Sequence, residues 1–414
     1  MASLQPVRGT HDLLPDDMRA HRHVSDTARA AAGRYGFDEM ATPIFEFSQV
    51  FKRTLGDTSD VVTKEMYTFE DKGGDEVTLR PENTAGVARS FISEGLAQNV
   101  PVKFFYSGPM FRYERPQKGR LRQFHQIGVE LIGVEQAQAD LEVIACGARV
   151  LDDLGVLGET TLELNTLGDT ESRNRYREAL VTYFNDYVDE LSPDSQDRLQ
   201  RNPLRILDSK NERDRDIVAG APVFEQFLNE DSQAFFDTVR DGLDALEIAY
   251  TLNPHLVRGL DYYCHTAFEF TTQALGAQGA VIAGGRYDGL IGMMGGRETP
   301  GVGWAGGIER LAMLCGDPPP ASRPIVVIPV GDEARAAGFT LTETLRRAEY
   351  RVDIGYSGNM SRRMKRANRL NAAAVVILGE DELARQAATV RHMDTGEQEE
   401  VSLASLPEFL APYR

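Results

Sequence analysis

A dense group of basic side chains lies in residues 111–133, which read FRYERPQKGRLRQFHQIGVELIG. The first half of this segment carries Arg112, Arg115, Lys118, Arg120 and Arg122. Guanidinium groups donate paired hydrogen bonds to phosphate and carboxylate oxygens, so this composition indicates binding of a polyanion. The second half is apolar but carries Gln126 and Glu130, which predicts a strand with polar groups on one face. A solvated, charged hairpin loop would have a similar composition.

A carboxylate at the start of a predicted helix is the second feature that could do chemistry. In residues 78–86, TLRPENTAG, a strand ends at Arg80-Pro81, and Glu82 and Thr84 begin the next helix. Glu82 could receive the ammonium group of a substrate. It could equally cap the helix, because an acid in the first turn interacts favourably with the helix dipole.

A third group of polar side chains precedes another predicted strand. Residues 256–270, LVRGLDYYCHTAFEF, contain Arg258, Asp261, Tyr262 and Tyr263. An arginine held in a loop beside two tyrosines suits an anionic transition state and a ring-shaped ligand. An Arg–Asp ion pair packed against core tyrosines is the structural alternative.

Glycine-rich segments follow at 283–290, AGGRYDGL, and 301–314, GVGWAGGIERLAML. Close approach of a ligand to the backbone would be allowed by the glycines at 301, 303, 306 and 307. We predict that a helix begins near Gly307, with Glu309 and Arg310 in its first turn. No GKS or GKT follows and the glycine spacing is not GxGxxG, so neither a P-loop nor a dinucleotide fingerprint is indicated.

The elements that must position these side chains are mostly strands. Short β-branched and aromatic runs follow each other with only turn residues between them, which predicts an antiparallel sheet with flanking helices, an α+β domain. The runs on either side of RPQKGR form a predicted hairpin. The two-residue period of a strand places positions 124, 126, 128 and 130 on one face. Residues 169–248 are strongly charged and predict a helical insertion.

Residues 316–324, GDPPPASRP, predict a linker because consecutive prolines cannot continue a helix. We therefore expect a catalytic domain at 1–320 and a second, α/β domain at 325–414. Strands alternate with helices in the second domain, which predicts βαβ units around a small, mainly parallel sheet. Its segment SRRMKRANR places four cations on one helical face, Arg362, Lys365, Arg366 and Arg369. A solvated basic face is the alternative to a binding surface.

The overall composition limits the classes of function. The chain has 414 residues and a formal net charge of −18, so any surface that binds nucleic acid must be a local basic region. Cys146, Cys264 and Cys315 are far apart, and no CxxC pair or His/Cys cluster is present. We therefore expect no metal site and no disulfide framework, as suits a reducing cytoplasm. Because the first residues lack the apolar core of a secretory signal and no apolar run reaches membrane-span length, we also expect no membrane association.

Taken together, the segments resemble the histidyl-tRNA synthetase family, the bacterial type of a class II aminoacyl-tRNA synthetase. TPIFE resembles motif 1, at the dimer interface; FRYERPQKGRLRQFHQIGVELIG resembles motif 2; and GVGWAGGIERL resembles motif 3. RGLDYY and AGGRYDGL resemble the two segments peculiar to this family, and YSGNMSRRMKRANRLNAAAVVILGEDELA resembles its anticodon-binding domain. The resemblance covers essentially the whole chain and implies the class II synthetase fold.

The resemblance implies roles for individual residues. Two catalytic arginines, Arg112 and Arg258, would lie on opposite sides of the ATP α-phosphate. The residues implied to bind histidine are Glu82, Thr84, Arg112, Gln126, Glu130, Arg258, Tyr262, Tyr263 and Tyr287. Those implied to bind ATP are Arg112, Glu114, Arg120, Phe124 and Arg310, with Glu114 and Phe124 at the adenine. Those implied to bind tRNA are Gln117, Lys118, Arg362, Arg363, Lys365 and Arg366.

The implied reaction has two steps. The carboxylate of L-histidine attacks the α-phosphorus of ATP, with Mg²⁺ on the outer phosphates, and a ribose hydroxyl of histidine tRNA then takes the acyl group. A homodimer is implied as well. The alternative is the synthetase-like regulatory subunit of ATP phosphoribosyltransferase, which binds histidine without charging tRNA. Such a subunit resembles the catalytic domain but lacks an anticodon domain, so the tail after residue 324 argues against it.

Overall fold

A computed structural model of the chain describes residues 4–55, 61–117, 119–207, 209, 211–256, 262–276 and 279–414. The chain forms two compact units, Met1–Pro319 and Pro320–Arg414. Among the described residues, every helix is too short or too polar to cross a membrane.

The first unit contains a large sheet, a small sheet and a layer of helices. Its strands are β1 Asp38–Glu39, β2 Phe45–Phe47, β3 Tyr67–Glu70, β4 Glu76–Leu79, β5 Val102–Phe111, β6 Gln123–Ile132, β7 Thr161–Thr166, β8 Tyr250–Leu252, β9 Cys264–Thr271, β10 Ala280–Arg286 and β11 Gly301–Gly307. Its helices are α1 Pro15–Arg34, α2 Ser48–Thr54, α3 Thr84–Ser93, α4 Gln138–Asp153, α5 Thr170–Asn185, α6 Pro193–Arg201, α7 Glu212–Val218, α8 Glu230–Ala245, α9 Leu290–Met293 and α10 Ile308–Cys315.

The large sheet has eight strands in the order β1-β5-β6-β11-β10-β9-β7-β8. Its interior is antiparallel, as the sequence predicts, but both edge strands are parallel to their neighbours, β1 to β5 and β8 to β7. Parallel neighbours need a long crossover connection. The helical insertion, α5 to α8, lies between β7 and β8 and provides one of these crossovers. The prediction of an antiparallel sheet is therefore wrong at the two edges of the large sheet, where the pairing is parallel.

The small sheet pairs β2, β4 and β3 in that order and stands apart from the large one. The sequence predicts these strands but not that they form a second sheet. Phe45, Phe47 and Phe69 are 59%, 59% and 49% exposed, so this sheet presents aromatic side chains at the surface. Strand alternation explains the pattern, since Glu46 between the two phenylalanines is buried.

The hairpin β5–β6 shows how strand alternation separates the core from the functional face. Ile127, Val129 and Leu131 on β6 pack in the apolar core that also contains residues of α1 and α4. Phe124 belongs to a different apolar cluster, on the other side of the sheet, together with Tyr263 and other aromatic side chains. The even-numbered face expected from the sequence is confirmed by this division.

The helical insertion has an apolar core of its own, which includes Tyr176 and Phe184. Within it, the carboxylate of Asp214 accepts hydrogen bonds from the hydroxyls of Ser192, Ser195 and Ser209 at 2.7, 2.6 and 2.6 Å, which ties three segments of the insertion together. Burial alone would raise the pKa of Asp214, but these hydrogen bonds outweigh it and lower the pKa.

The second unit is an α/β domain. Its strands are β12 Ile325–Pro329, β13 Val352–Ile354, β14 Ala374–Leu378, β15 Ala387–His392 and β16 Gln398–Ser402, and its helices are α11 Asp332–Arg347, α12 Met360–Arg369, α13 Glu380–Ala384 and α14 Leu406–Phe409. The sheet order is β13-β12-β14-β15-β16. The first three strands are parallel, as the sequence predicts, whereas β15 and β16 are antiparallel. The connections between the last three strands are too short for parallel crossovers, so this sheet is mixed and not mainly parallel.

Candidate active site

A cavity of about 510 Å³ opens on the even-numbered face of β6. Among the residues that line it are ten of those predicted from the sequence, Glu82, Thr84, Arg112, Glu114, Arg120, Phe124, Gln126, Tyr262, Tyr263 and Arg310. Glu130 and Tyr287 are buried beside this lining. Arg258 and Lys118 lie outside the described residues, as does Asp261. Side chains from segments more than 200 residues apart in the chain (Glu82 and Arg310, for example) therefore share one cavity.

Glu82 caps the helix α3 and faces the cavity at the same time. Its carboxylate accepts hydrogen bonds from the backbone N–H groups of Thr84 and Ala85, at 2.7 and 2.9 Å. Burial raises the pKa of Glu82, and the two backbone hydrogen bonds oppose that rise. The capping and ligand-binding interpretations of this residue are therefore compatible, because each carboxylate oxygen has further lone pairs.

Glu130 is a buried carboxyl group held by hydroxyl donors. It is 1% exposed, and it accepts hydrogen bonds from Thr84 Oγ1 at 2.6 Å and from the Tyr287 hydroxyl at 2.5 Å. Burial raises the pKa of Glu130 to about 8, although both hydrogen bonds lower it. At neutral pH this carboxyl is therefore largely protonated until a ligand supplies a compensating donor or charge.

The glycines of β11 make room for side chains of the protein. A β-carbon at Gly303 would overlap the carboxylate of Glu130, and one at Gly301 would overlap the ring of Tyr287. The sequence suggests that these glycines admit a ligand to the backbone. At positions 301 and 303 that interpretation is wrong, because buried side chains occupy the space; Gly307 does line the cavity.

Arg112 and Phe124 are neighbours on the cavity wall. The Nε of Arg112 donates to the carbonyl of Pro81 at 2.8 Å, which anchors the guanidinium group to the segment carrying Glu82. Its guanidinium carbon lies 5.3 Å from the centre of the Phe124 ring, within the range of a cation–π interaction. One face of the guanidinium group is thus supported by protein while the group remains at the cavity.

Arg120 and Glu114 form an ion pair, and Arg120 also lies 3.9 Å from a carboxylate oxygen of Glu65. The sequence assigns these two residues to different parts of ATP, the outer phosphates and the adenine. The structure brings them together, so a nucleotide that uses both must first separate them.

Apart from Glu114 Oε2, which pairs with Arg120, two buried polar atoms of cavity-lining residues have no hydrogen-bond partner among the described residues. These are Oε1 of Gln126 and Nη2 of Arg310, and both are buried. Unpaired buried donors and acceptors are rare in proteins. A ligand with an amine near Gln126 and an anionic group near Arg310 would satisfy both.

Comparison with known proteins identifies the family. The histidyl-tRNA synthetase family model matches residues 9–311, and the anticodon-binding-domain model matches residues 324–412. The chain belongs to the histidyl-tRNA synthetase family. The family and the class II fold expected from the sequence are confirmed.

Several members of the family are similar over their full length. The histidine–tRNA ligase of Rhodospirillum rubrum is 64% identical over 100% of both chains, and that of Gluconacetobacter diazotrophicus is 57% identical over 99% of both. The crystal structure of apo histidyl-tRNA synthetase from Staphylococcus aureus matches with a TM-score of 0.83 and 36% identity, over 98% of this chain and 99% of that one. The regulatory-subunit alternative is not favoured by these matches.

The turn of motif 2 is closed by its own backbone. Gln117 and Arg120 exchange backbone N–H···O hydrogen bonds at 3.0 and 2.9 Å, and Gly119 between them has a φ of +72°. Glycine adopts this left-handed conformation without steric cost. The side chain of Gln117 is exposed, so it is free to contact a large partner.

The basic helix of the anticodon-binding domain, α12, uses some of its cations internally. Arg366 pairs with Asp353 at 2.6 Å, and Arg363 donates to the carbonyls of Gly358 and Pro329. These two side chains hold α12 on the sheet. The predicted cationic face is therefore divided, and its exposed members are Arg362, Lys365 and Arg369.

Two carboxylates at the cavity were not assigned a role from the sequence. Glu269 lines the cavity from β9. It is the one carboxylate in an otherwise uncharged strand, and that isolation could have marked it as a functional residue from the sequence. The backbone N–H of His125 donates a bifurcated hydrogen bond to both carboxylate oxygens of Glu309, at 3.0 Å each, and Glu309 Oε1 lies 2.8 Å from the His125 ring nitrogen Nδ1. Glu309 thereby joins β6, between Phe124 and Gln126, to the helix that carries Arg310. No short-range sequence pattern predicts a contact between residues that are so far apart in the chain.

Proposed function

We propose that this cavity activates L-histidine with ATP and then transfers it to histidine tRNA. The proposal is carried by one observation. Acceptors suited to an amino acid, Glu82 and Gln126 on the cavity lining and the buried Glu130 beside it, lie together with the cations Arg112 and Arg310. ATP–pyrophosphate exchange with each of the twenty amino acids tests it. Exchange that requires histidine supports the proposal, and exchange with another amino acid, or none with any, contradicts it.

The first step needs fixed positive charge and no general base. The histidine carboxylate is already the nucleophile, and charge accumulates on the α-phosphate as pyrophosphate leaves. Preorganised cations stabilise such a transition state most effectively. Arg112, anchored on Pro81, would hold the α-phosphate and the histidine carboxylate, and Arg310 would hold the outer phosphates. By resemblance, Arg258 would add a cation on the opposite side of the α-phosphate.

The residues at the cavity fit a magnesium ion that enters with ATP. Mg²⁺ prefers oxygen ligands and is typically held by substrate phosphates together with one or two carboxylates. Glu269 lines the same cavity as Arg310 and carries a carboxylate. The ion would neutralise charge on the outer phosphates.

Histidine would be recognised at the back of the cavity. Glu130 would accept a hydrogen bond from one imidazole N–H, and the Tyr263 hydroxyl would serve the other ring nitrogen. Tyr262 lies 4.5 Å from Tyr263 and 5.9 Å from Tyr287, measured between ring centres, so aromatic rings enclose this end. The Glu82, Thr84 and Gln126 side chains would bind the α-amino group.

Gln117→Ala should slow tRNA charging while leaving pyrophosphate exchange nearly unaltered. The exposed Gln117 side chain lies at the tip of the motif 2 turn, where the acceptor end of the tRNA would approach, together with Lys118. Its backbone contacts to Arg120 do not depend on the side chain, so the adenylation site should persist. Rates of both reactions, compared with the exposed control Gln98→Ala, check this. Equal loss in both reactions would place Gln117 in adenylation instead.

The exposed face of α12 should contribute to tRNA affinity. Reversing charge at Arg362 and Lys365 together should raise the tRNA concentration needed for charging and flatten its salt dependence, because contacts to phosphate release counterions. Pyrophosphate exchange should not change. Arg347→Glu on α11, whose side chain is 80% exposed, is the matched charge-reversal control. Unchanged tRNA dependence in the double variant would show that α12 is merely a solvated surface.

We also propose that the chain works as a cytoplasmic homodimer. The small sheet with its exposed Phe45, Phe47 and Phe69 contains the segment that resembles motif 1, which lies at the dimer interface of the family. Burying these aromatic side chains against a second copy would remove apolar surface from water.

A further inference from the structure

Three side chains with metal-binding atoms converge on the side of β6 that faces the helices. They are His21 from α1, His125 from β6 and Glu309 from α10. One ligand atom from each residue lies within 4.8 Å of those from the other two. The three residues are widely spaced in the sequence, so they form no short metal-binding motif.

His21 has an unusual environment for a buried imidazole. Its side chain is 7% exposed and lies next to a second imidazole and a carboxylate. Its ring meets that of His125 edge to face, with 5.2 Å between the ring centres. Two imidazoles and a carboxylate brought together in this way form a ligand set that a transition-metal ion prefers.

Glu309 can serve an ion without giving up its existing role. Both of its oxygens accept from the backbone N–H of His125 at 3.0 Å. If one oxygen turns to an ion, the other can keep the contact that joins β6 to α10. His125 Nδ1 is already 2.8 Å from Glu309 Oε1, and tetrahedral zinc places its ligand atoms about 3.3 Å apart, so modest side-chain rotation would complete the set.

We propose that His21, His125 and Glu309 form a binding site for a transition-metal dication, of which Zn²⁺ is the best match. Two imidazoles and one carboxylate suit Zn²⁺, with water at an open fourth position, and they do not suit Mg²⁺, which prefers oxygen ligands throughout. The ion would link α1, β6 and α10 behind the cavity wall. It is separate from the Mg²⁺ that accompanies ATP, and its effect is on stability.

The test uses the full chain after treatment with EDTA, in the absence of ATP and of other metals. Zn²⁺ titrated by calorimetry should bind at one equivalent per chain with a dissociation constant in the micromolar range or tighter, and it should raise the thermal midpoint, because a ligand of the native state stabilises it. Co²⁺ should give the visible absorption of a low-symmetry nitrogen and oxygen site. Mg²⁺ at the same concentration should show no binding by calorimetry and should leave the thermal midpoint unchanged.

His21→Phe keeps a ring in the core but removes the nitrogens. It should weaken Zn²⁺ binding by about tenfold or more, since even the residues that support metal ligands typically contribute about 10–100-fold. His23→Phe, two positions along α1, is the matched control and should bind as the parent does. His21→Gln gives a second measurement should the phenylalanine variant fail to fold. Equal Zn²⁺ affinity in parent and His21 variants, or no binding by the parent, would overturn the proposal.

Discussion

Replacing Arg112 by lysine should lower histidine-dependent pyrophosphate exchange by about 10²–10³-fold, the usual loss when one preorganised contact to a developing oxyanion is removed. Arginine can donate to the Pro81 carbonyl through Nε and still present two donors in a plane to the cavity. Lysine has the same charge but a single ammonium group, so it cannot do both. Because Glu82, Gln126 and Glu130 remain, the effect should appear mainly in the maximal rate.

Arg122→Lys is the matched control for Arg112→Lys. Arg122 also donates through Nε to a carbonyl, that of Glu114 at 3.2 Å, and its guanidinium carbon lies 3.8 Å from the Tyr113 ring centre. It does not line the cavity. Exchange in this variant should stay close to that of the parent. A similar loss in both variants would mean that any lysine in this segment disrupts the fold, and Arg112 would lose its proposed catalytic role.

Glu130→Gln should make the free chain more stable and its histidine binding weaker. Keeping a buried carboxyl protonated at pH 7 costs free energy, because its pKa is about 8 in the folded chain against 4.5 ordinarily. Glutamine avoids this cost, so the free energy of unfolding should rise on the order of 1–3 kcal/mol. The histidine concentration needed for exchange should rise about tenfold or more, because the proposed partner of the imidazole is lost.

The pH dependence of the free energy of unfolding shows whether Glu130→Gln stabilises the chain by removing a buried ionisable group or by improving the packing. A raised carboxyl pKa stabilises the folded chain fully below pH 4.5, and that contribution is lost as pH rises through about 8. The gain in the free energy of unfolding caused by Glu130→Gln should therefore grow between pH 4.5 and about 8 and then level off. Thermal unfolding across this range measures it. Glu46→Gln is the control, since Glu46 is buried but pairs with Arg89 at 2.6 Å, and its replacement should destabilise. An advantage of Glu130→Gln that does not vary with pH would contradict the proposed cause.

The sequence predicts the site better where a local rule governs the geometry. Strand alternation places Phe124, Gln126 and Glu130 on one side of β6, and a helix does start next to Gly307 with Arg310 in its first turn. Helix capping by Glu82 follows from the same kind of rule. The roles of these residues stay predictions, but their positions do not depend on distant parts of the chain.

Contacts between distant segments are what the sequence cannot predict. The ion pair of Arg120 with Glu114 and the attachment of Glu309 to His125 both depend on the final packing. The same holds for the parallel edges of the large sheet, since neighbouring strands there are separated by long stretches of chain. Periodicity describes one element at a time and contains no information on which elements meet.

The glycine at position 303 has an evolutionary consequence. A β-carbon there would overlap both a carboxylate oxygen of Glu130 and the backbone carbonyl oxygen of Val129. Shortening residue 130 would remove the first clash but not the second, because the Val129 carbonyl belongs to the backbone of β6. Gly303→Ala should therefore be poorly tolerated whichever residue stands at 130, and a double-mutant cycle between the two positions should show only part of the cost relieved. Position 303 is closed to residues larger than glycine, so evolutionary change at this end of the cavity has to come from side chains on other elements.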